Sequence, residues 1–550
     1  INSCHNDYMI PKPPLRTTIS QINPHVGDVA GNADKILSIY NDRKNDSDLI
    51  VFPELVLSGY QPEDLVLHDG FMHACMNKAE EIAKATQNGP AMVIGSPWLH
   101  DNGDRQNCAL FLNDGKIQHI IAKYELPNYG VFDEVRVFTK GNLAEPVEYK
   151  GHKLGIAICE DLWFPTIANH LKEQGAEVLI SLNGSPFEIG KDQKRLRIIG
   201  DRVCETGLPA IYINQVGGQD EVVYDGGSFV MDSHGEVVAH LPFFEEKSLT
   251  LNCHSDEGRN LKLQNTGSPI KPKDDRNSLI YSALKLGLKD YVEKNGFPGV
   301  LLGLSGGIDS ALSAVIAVDA LGPTRVQCVM MPSPYTSQES LDDAAALANN
   351  LGCAYDIMDI QPAMDAYHSM ISDMSDIALE NIQSRARGMV LMALSNTNGK
   401  MVLSTGNKSE MAVGYATLYG DMCGGFNVLK DVYKTQVYEL SKWRNDQGHI
   451  MPDNIITRPA SAELRPDQTD QDSLPPYDIL DDILEGMIEH RLSISEIVAK
   501  GHDLDIVKKV RKLLDRAEYK RRQAPPGVKI TKNSFGRERR MPITNGFEDA

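Results

Sequence analysis

The sequence predicts two α/β domains in series, and three observations carry that prediction. Apolar strand-like runs alternate with stretches of helical spacing along most of the chain, the pattern of sheets covered by helices. At 550 residues the chain is too long for one ordinary core. Around residues 252–277 it turns polar and broken, with H-S-D-E-G-R-N and then G-S-P-I-K-P-K-D-D-R, which marks a boundary. The expected layout is a flexible leader at 1–14, a first domain at 15–253, a linker at 254–276, and a second domain with its C-terminal tail at 277–550.

In the first half, strands are expected over 17–23, 48–52 and 91–95 and around 107–112 and 118–123, with helices over 32–43 and 71–87. Both helical and hairpin connections occur, so a layered arrangement is expected. Three polar residues stand at the ends of apolar runs: Glu54 after L-I-V-F-P, Lys123 after H-I-I-A, and Cys159 after K-L-G-I-A-I. Singly, each reads as an ordinary core thiol or a solvated charge. Together they make chemical sense. A thiolate is the nucleophile of acyl transfer and needs a base and a cationic neighbour. Glu54 can take the thiol proton, and Lys123 can hold the charge that develops on the attacked oxygen. The expected substrate carbon is that of an amide or nitrile.

F-P-E-L at 52–55, A-K-Y-E-L-P at 122–127 and I-C-E-D-L-W at 158–163 resemble the Glu–Lys–Cys signature of the nitrilase superfamily. Y-G-V-F-D-E at 129–134 and N-G-S-P-F at 183–187 resemble its glutamine-hydrolysing branch. The resemblance implies an α-β-β-α sandwich, a second carboxylate, Glu134, near Cys159, and a glutamine grip made by Tyr129, Ser185 and Lys191. Lys191 suits that role physically, since an amino-acid substrate carries a carboxylate to pair.

The second half opens on a helix over 278–295, stopped by Gly296, Phe297 and Pro298. An apolar strand at 299–304 runs into G-L-S-G-G-I-D-S at 303–310, and a helix follows over 311–321. Small residues line this turn, so its N–H groups can close on an anion at a helix N-terminus. Asp309 repels phosphate unless a cation sits between them, so polyphosphate with Mg²⁺ is expected. The lysine of a G-x-x-x-x-G-K-[ST] loop is missing. Further strands at 325–331 and 354–360, with a helix over 341–351 capped by Ser340, argue a parallel doubly wound sheet. Ligands of such sheets sit beyond the carboxyl ends of the strands. On a helix over 376–395, Asn381 and Arg385 are four apart and share a face. A strand at 400–405 ends in S-T-G-N-K-S-E at 404–410, where Glu410 can join Asp309 on a metal. The Gly- and aromatic-rich stretch 414–434 suits a flat ligand, and its Lys434 is placed to meet a phosphate.

This half resembles the N-type ATP pyrophosphatases and, among them, the NAD⁺ synthetases. The loop, S-T-G-N-K-S-E, the stretch 414–434, R-P-A-S-A-E-L at 458–464 and the tail at 518–547 carry the resemblance. Val428 stands where proline is expected. The resemblance implies a Rossmann-like sheet of the adenine nucleotide α-hydrolase type. It implies ATP contacts at Gly303, Leu304, Ser305, Gly306, Gly307, Ile308, Asp309, Ser310, Thr405, Lys434 and Ser461. Contacts to deamido-NAD⁺ would come from Asn381, Arg385, Glu410 and Lys520, and Mg²⁺ would sit on Asp309 and Glu410. An amidase of the first kind followed by this module is the layout of the glutamine-dependent NAD⁺ synthetases. The implied reaction adenylates the pyridine carboxylate with ATP and displaces AMP with ammonia from glutamine, carried along an enclosed path. Two alternatives stand beside it: another adenylating amidotransferase with a different acceptor, and an amidase whose second domain senses nucleotide. The stretch 462–477, rich in Pro, Asp and Gln, reads as a loop that closes over the nucleotide or as a solvated acidic loop.

A net charge of −20 makes a general nucleic-acid binder unexpected. Basic residues gather late, in K-R-R at 520–522 and R-E-R-R at 537–540, which suit phosphate or subunit contact. Nine cysteines without C-x-x-C spacing suit a reducing cytoplasm better than a disulfide or zinc framework. No apolar run reaches the roughly 18 residues of a membrane span, and residues 1–15 carry no signal-peptide core. A cytoplasmic homo-oligomer acting on small molecules is expected.

Overall fold

The computed structural model describes residues 14–256, 260–264, 275–465 and 468–547. These divide into two units, one running to Gln219 and resuming from Tyr224 through Gln264, the other made of Asp220–Val223 and the described residues from Asp275 onward.

The first unit is built on two sheets. Its strands are β1 (Leu15–Gln21), β2 (Leu49–Val51), β3 (Ala91–Leu99), β4 (Arg105–Asn113), β5 (Lys116–Ala122), β6 (Val147–Tyr149), β7 (His152–Ile158), β8 (Val178–Asn183) and β9 (Ala210–Asn214). A small hairpin, β10 (Val216–Gln219) with β11 (Val222–Asp225), precedes β12 (Phe229–Met231), β13 (Val237–His240), β14 (Lys247–Asp256) and β15 (Asn260–Gln264). One sheet runs β15-β14-β1-β2-β3-β4-β5 and the other β13-β12-β9-β8-β7-β6. Alternation explains the layering, because side chains point to opposite faces with a period of two. Val51, Val93 and Phe111 of the first sheet pack with Ile156, Ile158, Ile180 and Leu182 of the second in one inner core. Their neighbours Ile50, Phe52, Met92 and Ile94 turn outward onto Ile36, Tyr40, Cys75 and Ile82. Those belong to helices Val29–Arg43 and Asp69–Lys84. Ala157 and Leu179 do the same for helices Pro165–Glu173 and Lys191–Thr206 through Leu171 and Ile199. The order is helix, sheet, sheet, helix. Strands covered on both faces read as continuous apolar runs, which is why L-I-V-F and L-G-I-A-I stand out in the sequence.

The second unit holds β16 (Val300–Gly303), β17 (Val326–Met330), β18 (Ala354–Ile357), β19 (Met401–Ser404) and β20 (Phe426–Asn427), all parallel, in the order β18-β17-β16-β19-β20. The order reverses beside β16, so the loop that leaves β16 sits at the switch point of a doubly wound sheet. A helical cluster follows the sheet and packs with Met411, Ala412, Val413 and Tyr433. Helices Tyr477–Ile488, Ile494–Ala499 and Leu504–Arg516 bury Leu480, Leu484, Ile497, Val507, Val510 and Leu514 together.

Some local expectations are corrected. The strand expected over 91–95 runs to Leu99, because it pairs along its whole length with β4 down to Leu99 opposite Arg105. The helix expected to start at Leu341 under a Ser340 cap starts at Gln338, and its cap is Ser337, whose Oγ accepts from the Ser340 N–H at 3.2 Å. Ser340 lies inside the first turn, and its hydroxyl goes to Glu463. Within the stretch read as a linker, β14 continues to Asp256, β15 pairs with it, and Asp275 caps helix Arg276–Lys294. Residues 257–259 and 265–274, and residues 1–13 of the expected leader, lie outside the described residues. Among the described residues no helix is long and apolar enough to cross a membrane.

Candidate functional site

The first cluster lies in the sandwich, at the carboxyl ends of β2, β5 and β7. Cys159 follows β7 with φ at +46°, a left-handed conformation that is costly for a non-glycine residue and turns the chain sharply into the short helix Cys159–Leu162. Lys123 follows β5, and its Nζ lies 2.7 Å from Glu54 Oε1 and 2.8 Å from Glu134 Oε1. All three side chains are buried. Asn107 Nδ2 donates to Glu54 Oε1 at 2.8 Å and the Gly184 N–H to Glu54 Oε2 at 2.7 Å. Tyr60 donates to Glu134 Oε1 at 2.6 Å, while Glu134 Oε2 is buried without a partner.

The electrostatics follow from this packing. Burial works against the Lys123 ammonium, but the carboxylates of Glu134 and Glu54 outweigh it and hold its pKa well above the ordinary range. Burial pushes Glu134 up to about 7 against the pull of Lys123. Burial, then the charge of Glu54, raises the Cys159 thiol, which Lys123 opposes. A buried thiol beside one ammonium shared by two carboxylates can pass its proton to a carboxylate and attack an electrophilic carbon.

Asp161 braces the loop after Lys123 to the turn at Cys159. Its Oδ1 accepts from the N–H groups of Tyr124 and Glu125 at 3.0 and 2.8 Å, and its Oδ2 from Ile158 N–H at 2.9 Å. Of the residues expected to grip glutamine, Tyr129 is 54% exposed and donates to Glu160 Oε1 at 2.9 Å. Lys191 opens helix Lys191–Thr206 and lies 5.7 Å from the Phe132 ring, which packs on Tyr129. Ser185 is buried, and its Oγ accepts from Arg195 Nε at 3.1 Å; Arg195 is paired in turn with buried Asp225 at 2.8 Å. Sequence reasoning missed Tyr60, Asn107, Asp161, Glu160 and Arg195. The motif I-C-E-D-L-W places Glu160 and Asp161 directly after Cys159 but gives neither a role.

The second cluster is a cavity of about 530 Å³ beyond the ends of β16, β17 and β19. Gly303, Leu304, Ser305, Gly306, Gly307, Ile308, Asp309 and Ser310 line it. Asn381, Thr405, Glu410, Lys434, Ser461 and Lys520 line it too. Arg385 is the exception among the expected residues. It stands on the exposed side of helix Asp376–Asn398 and donates to the Leu418 carbonyl at 3.2 Å. The arginine of that helix that lines the cavity is Arg387, which donates to the Met331 carbonyl at 3.0 Å and is lowered to about 10 by burial.

Gly306 has φ at +81°, and a Cβ there would meet the Ser340 carbonyl oxygen at 2.5 Å, so only glycine fits the tip of the loop. Asp309 and Glu410 converge on Lys434 Nζ, at 2.5 and 3.1 Å, and Asn407 donates to the other Asp309 oxygen at 2.9 Å. Burial raises Glu410 to about 8, with Lys434 opposing it. The two carboxylates are hard oxygen donors of the kind Mg²⁺ takes, and a cation already lies between them. Among the described residues no group of three or more His, Cys, Asp or Glu is placed to hold a metal alone. Lys520 Nζ donates to the carbonyls of Gly414 and Ala416 at 2.8 and 2.7 Å, and Ser461 to that of Gln468 at 2.6 Å.

Two family descriptions match the chain: carbon-nitrogen hydrolase over residues 16–262 and NAD synthase over residues 280–524. The glutamine-dependent NAD(+) synthetase of Rhodobacter capsulatus is 45% identical, with 97% of this chain and 99% of that protein covered. That of Thermotoga maritima is 44% identical, with 97% and 99% covered. A solved structure of glutamine-dependent NAD⁺ synthetase from Acinetobacter baumannii in complex with ADP is 42% identical. It aligns over 98% of this chain and 100% of that one, with a TM-score of 0.77.

Proposed function

The chain belongs to the glutamine-dependent NAD⁺ synthetases, and from that membership we infer that it turns deamido-NAD⁺, ATP, glutamine and water into NAD⁺, AMP, pyrophosphate and glutamate. A carboxylate is a poor acceptor for ammonia until it carries a leaving group, and adenylation supplies one. The observation that supports a two-site division of labour is that one chain carries both a buried Glu–Lys–Glu cluster at Cys159 and a phosphate-type loop lining a cavity with Asp309, Glu410 and Lys434.

At the first site, Cys159 attacks the side-chain amide of glutamine. Glu54 takes the thiol proton and delivers it to the leaving ammonia, then activates the water that frees glutamate from the thioester. Lys123 sits between Glu54 and Glu134, where it stabilises both carboxylates and the developing oxyanion. Tyr129, Ser185 and Lys191 would hold the amino-acid end of the substrate. At the second site the loop 303–310 cradles the polyphosphate, with Thr405, Lys434 and Ser461 as further ATP contacts. Asn381, Glu410 and Lys520 face deamido-NAD⁺. Asp309 and Glu410 would hold Mg²⁺, which when bound would draw charge from the polyphosphate.

The test is NAD⁺ formation with glutamine and then with ammonium as nitrogen donor. Wild-type protein should use both. Cys159→Ala should lose synthesis with glutamine and keep it with ammonium; losing both alike would sink the two-site reading.

A further inference from the structure

The phosphate-type loop lacks the lysine that many such loops carry, and the cavity's other cations are already engaged. Lys434 is held between Asp309 and Glu410. Lys520 is held by two backbone carbonyls. Arg387 donates to Met331, at the end of β17. The fourth cation that lines the cavity, Arg458, is tied to the loop itself: its Nη2 donates to the carbonyl of Gly306 at 3.0 Å. Its Nη1 is buried and has no hydrogen-bond partner. The nearest carboxylates, Glu339 at 4.0 Å and Asp343 at 3.7 Å, lie beyond hydrogen-bonding distance.

We propose that Arg458 is a catalytic residue of the adenylation step, binding the β- and γ-phosphates of ATP and then the pyrophosphate they become. The assignment rests on the reaction given above. A guanidinium offers parallel N–H donors in a planar fork, suited to phosphate oxygens, and it stays charged throughout. One edge of the Arg458 fork is anchored on the Gly306 carbonyl, which fixes the group against the tip of the loop. The unpartnered Nη1 remains for an anion. Gly306 lies so close to the Ser340 carbonyl that no Cβ fits between them, which lets the backbone of the loop tip approach helix Gln338–Leu351.

In the step itself, an oxygen of the pyridine carboxylate forms a bond to the α-phosphorus. The bond from that phosphorus to the oxygen bridging to the β-phosphorus breaks, and the bridging oxygen leaves with the electron pair as part of pyrophosphate. No proton moves from Arg458. Its charge meets the negative charge that grows on the leaving group, and such a contact lowers the barrier more than it tightens substrate binding.

The experiment uses the full chain and two probes, inorganic pyrophosphate and AMP, with their dissociation constants measured by calorimetry. Arg458→Ala and Arg458→Gln should weaken pyrophosphate by about tenfold or more, the scale of a charge-assisted hydrogen bond. AMP should change by less than about twofold. Arg458→Gln removes the charge and, being two bonds shorter, the contact to the Gly306 carbonyl as well, but it keeps a polar side chain of moderate length and stands in if Arg458→Ala fails to fold. Arg458→Lys should recover part of the pyrophosphate affinity. Unchanged pyrophosphate affinity, or equal weakening of pyrophosphate and AMP, would overturn the assignment. Exchange of labelled pyrophosphate into ATP by the wild-type chain, dependent on deamido-NAD⁺, separates the two levels. Its absence would overturn the reaction, whereas its presence with variants that still hold pyrophosphate tightly would overturn only the role of Arg458.

Discussion

Lys123 is the residue on which the buried charges of the first site depend. It neutralises part of a pair of carboxylates that no solvent reaches. Lys123→Met should therefore lower glutamine hydrolysis by at least about a hundredfold, the lower range for losing a positioned catalytic group. It should also cost about 3–5 kcal/mol of stability, the usual penalty for breaking a buried ion pair. The penalty has a pH signature. The folded-state pKa of Glu134 lies at about 7, above its ordinary 4.5, so its contribution to stability is complete below 4.5 and is lost as pH rises through about 7. Removing the ammonium raises that value further, because Lys123 is what opposes burial there. The loss in Lys123→Met should thus be larger at pH 8 than at pH 5.5 in denaturant titrations, and adding Glu134→Gln should recover part of it without restoring hydrolysis. An equal loss at both pH values would remove the coupling. At this scale the grouping of Cys159, Glu54 and Lys123 was legible, because each ends an apolar run and the three make one chemistry together. Tyr60, Asn107 and Asp161 were not. Asn107 reads as a polar residue inside a strand, and only the sheet pairing brings it to Glu54. Asp161 acts through backbone N–H groups of Tyr124 and Glu125, which no side-chain pattern announces.

Helix faces explain what went astray at the level of elements. On helix Asp376–Asn398 the sequence paired Asn381 with Arg385 by their spacing of four. The residues that line the cavity are Ile377, Glu380, Asn381, Ser384, Arg387, Gly388 and Leu391. At about 100° per residue these span an arc of about 120°, with Asn381 at one margin. Arg385 falls about 40° beyond that margin, on the exposed side. Spacing placed the two on one face without saying where that face ended, and this depends on how the helix is rotated against the sheet. The helix Gln338–Leu351 gives the matching lesson at a terminus. Two serines three residues apart both suit a cap, and the extended backbone of Ser337 decides between them. Ser337 also donates to Glu463 Oε1 at 2.8 Å, beside the same oxygen's bond from Ser340, so it joins the helix start to the stretch beginning at Arg458. Ser337→Ala should cost about 1–2 kcal/mol in chemical unfolding, from the lost cap and the second hydrogen bond. Ser340→Ala should cost less, since Ser337 still serves Glu463. Equal costs would mean that the cap carries little of the energy.

Over the whole molecule, the two α/β architectures and the pairing of an amidase with an ATP-using module were legible, because strand runs buried on both faces and loops at strand ends leave strong local signals. The closing helical cluster was not read, although the sequence L-D-I-V-K-K-V-R-K-L-L at 504–514 carries its apolar stripe, with Val507, Val510 and Leu514 buried. The same scale carries the decisive functional contrast. Asp309 accepts from Asn407 through one oxygen and pairs with Lys434 through the other. Asparagine keeps the shape but removes the charge that would face a metal ion. Asp309→Asn should therefore lower NAD⁺ formation by about a hundredfold or more, the scale of losing an electrostatic contact to the reacting phosphates. The loss should be the same with glutamine or ammonium, because adenylation precedes the arrival of either nitrogen. Cys159→Ala should lose the glutamine-driven reaction alone. Measured side by side as NAD⁺ formed, the two variants separate the supply of ammonia from its use. Ammonium-driven synthesis that survives Asp309→Asn would show that the carboxylate next to the phosphate loop is not needed for activation.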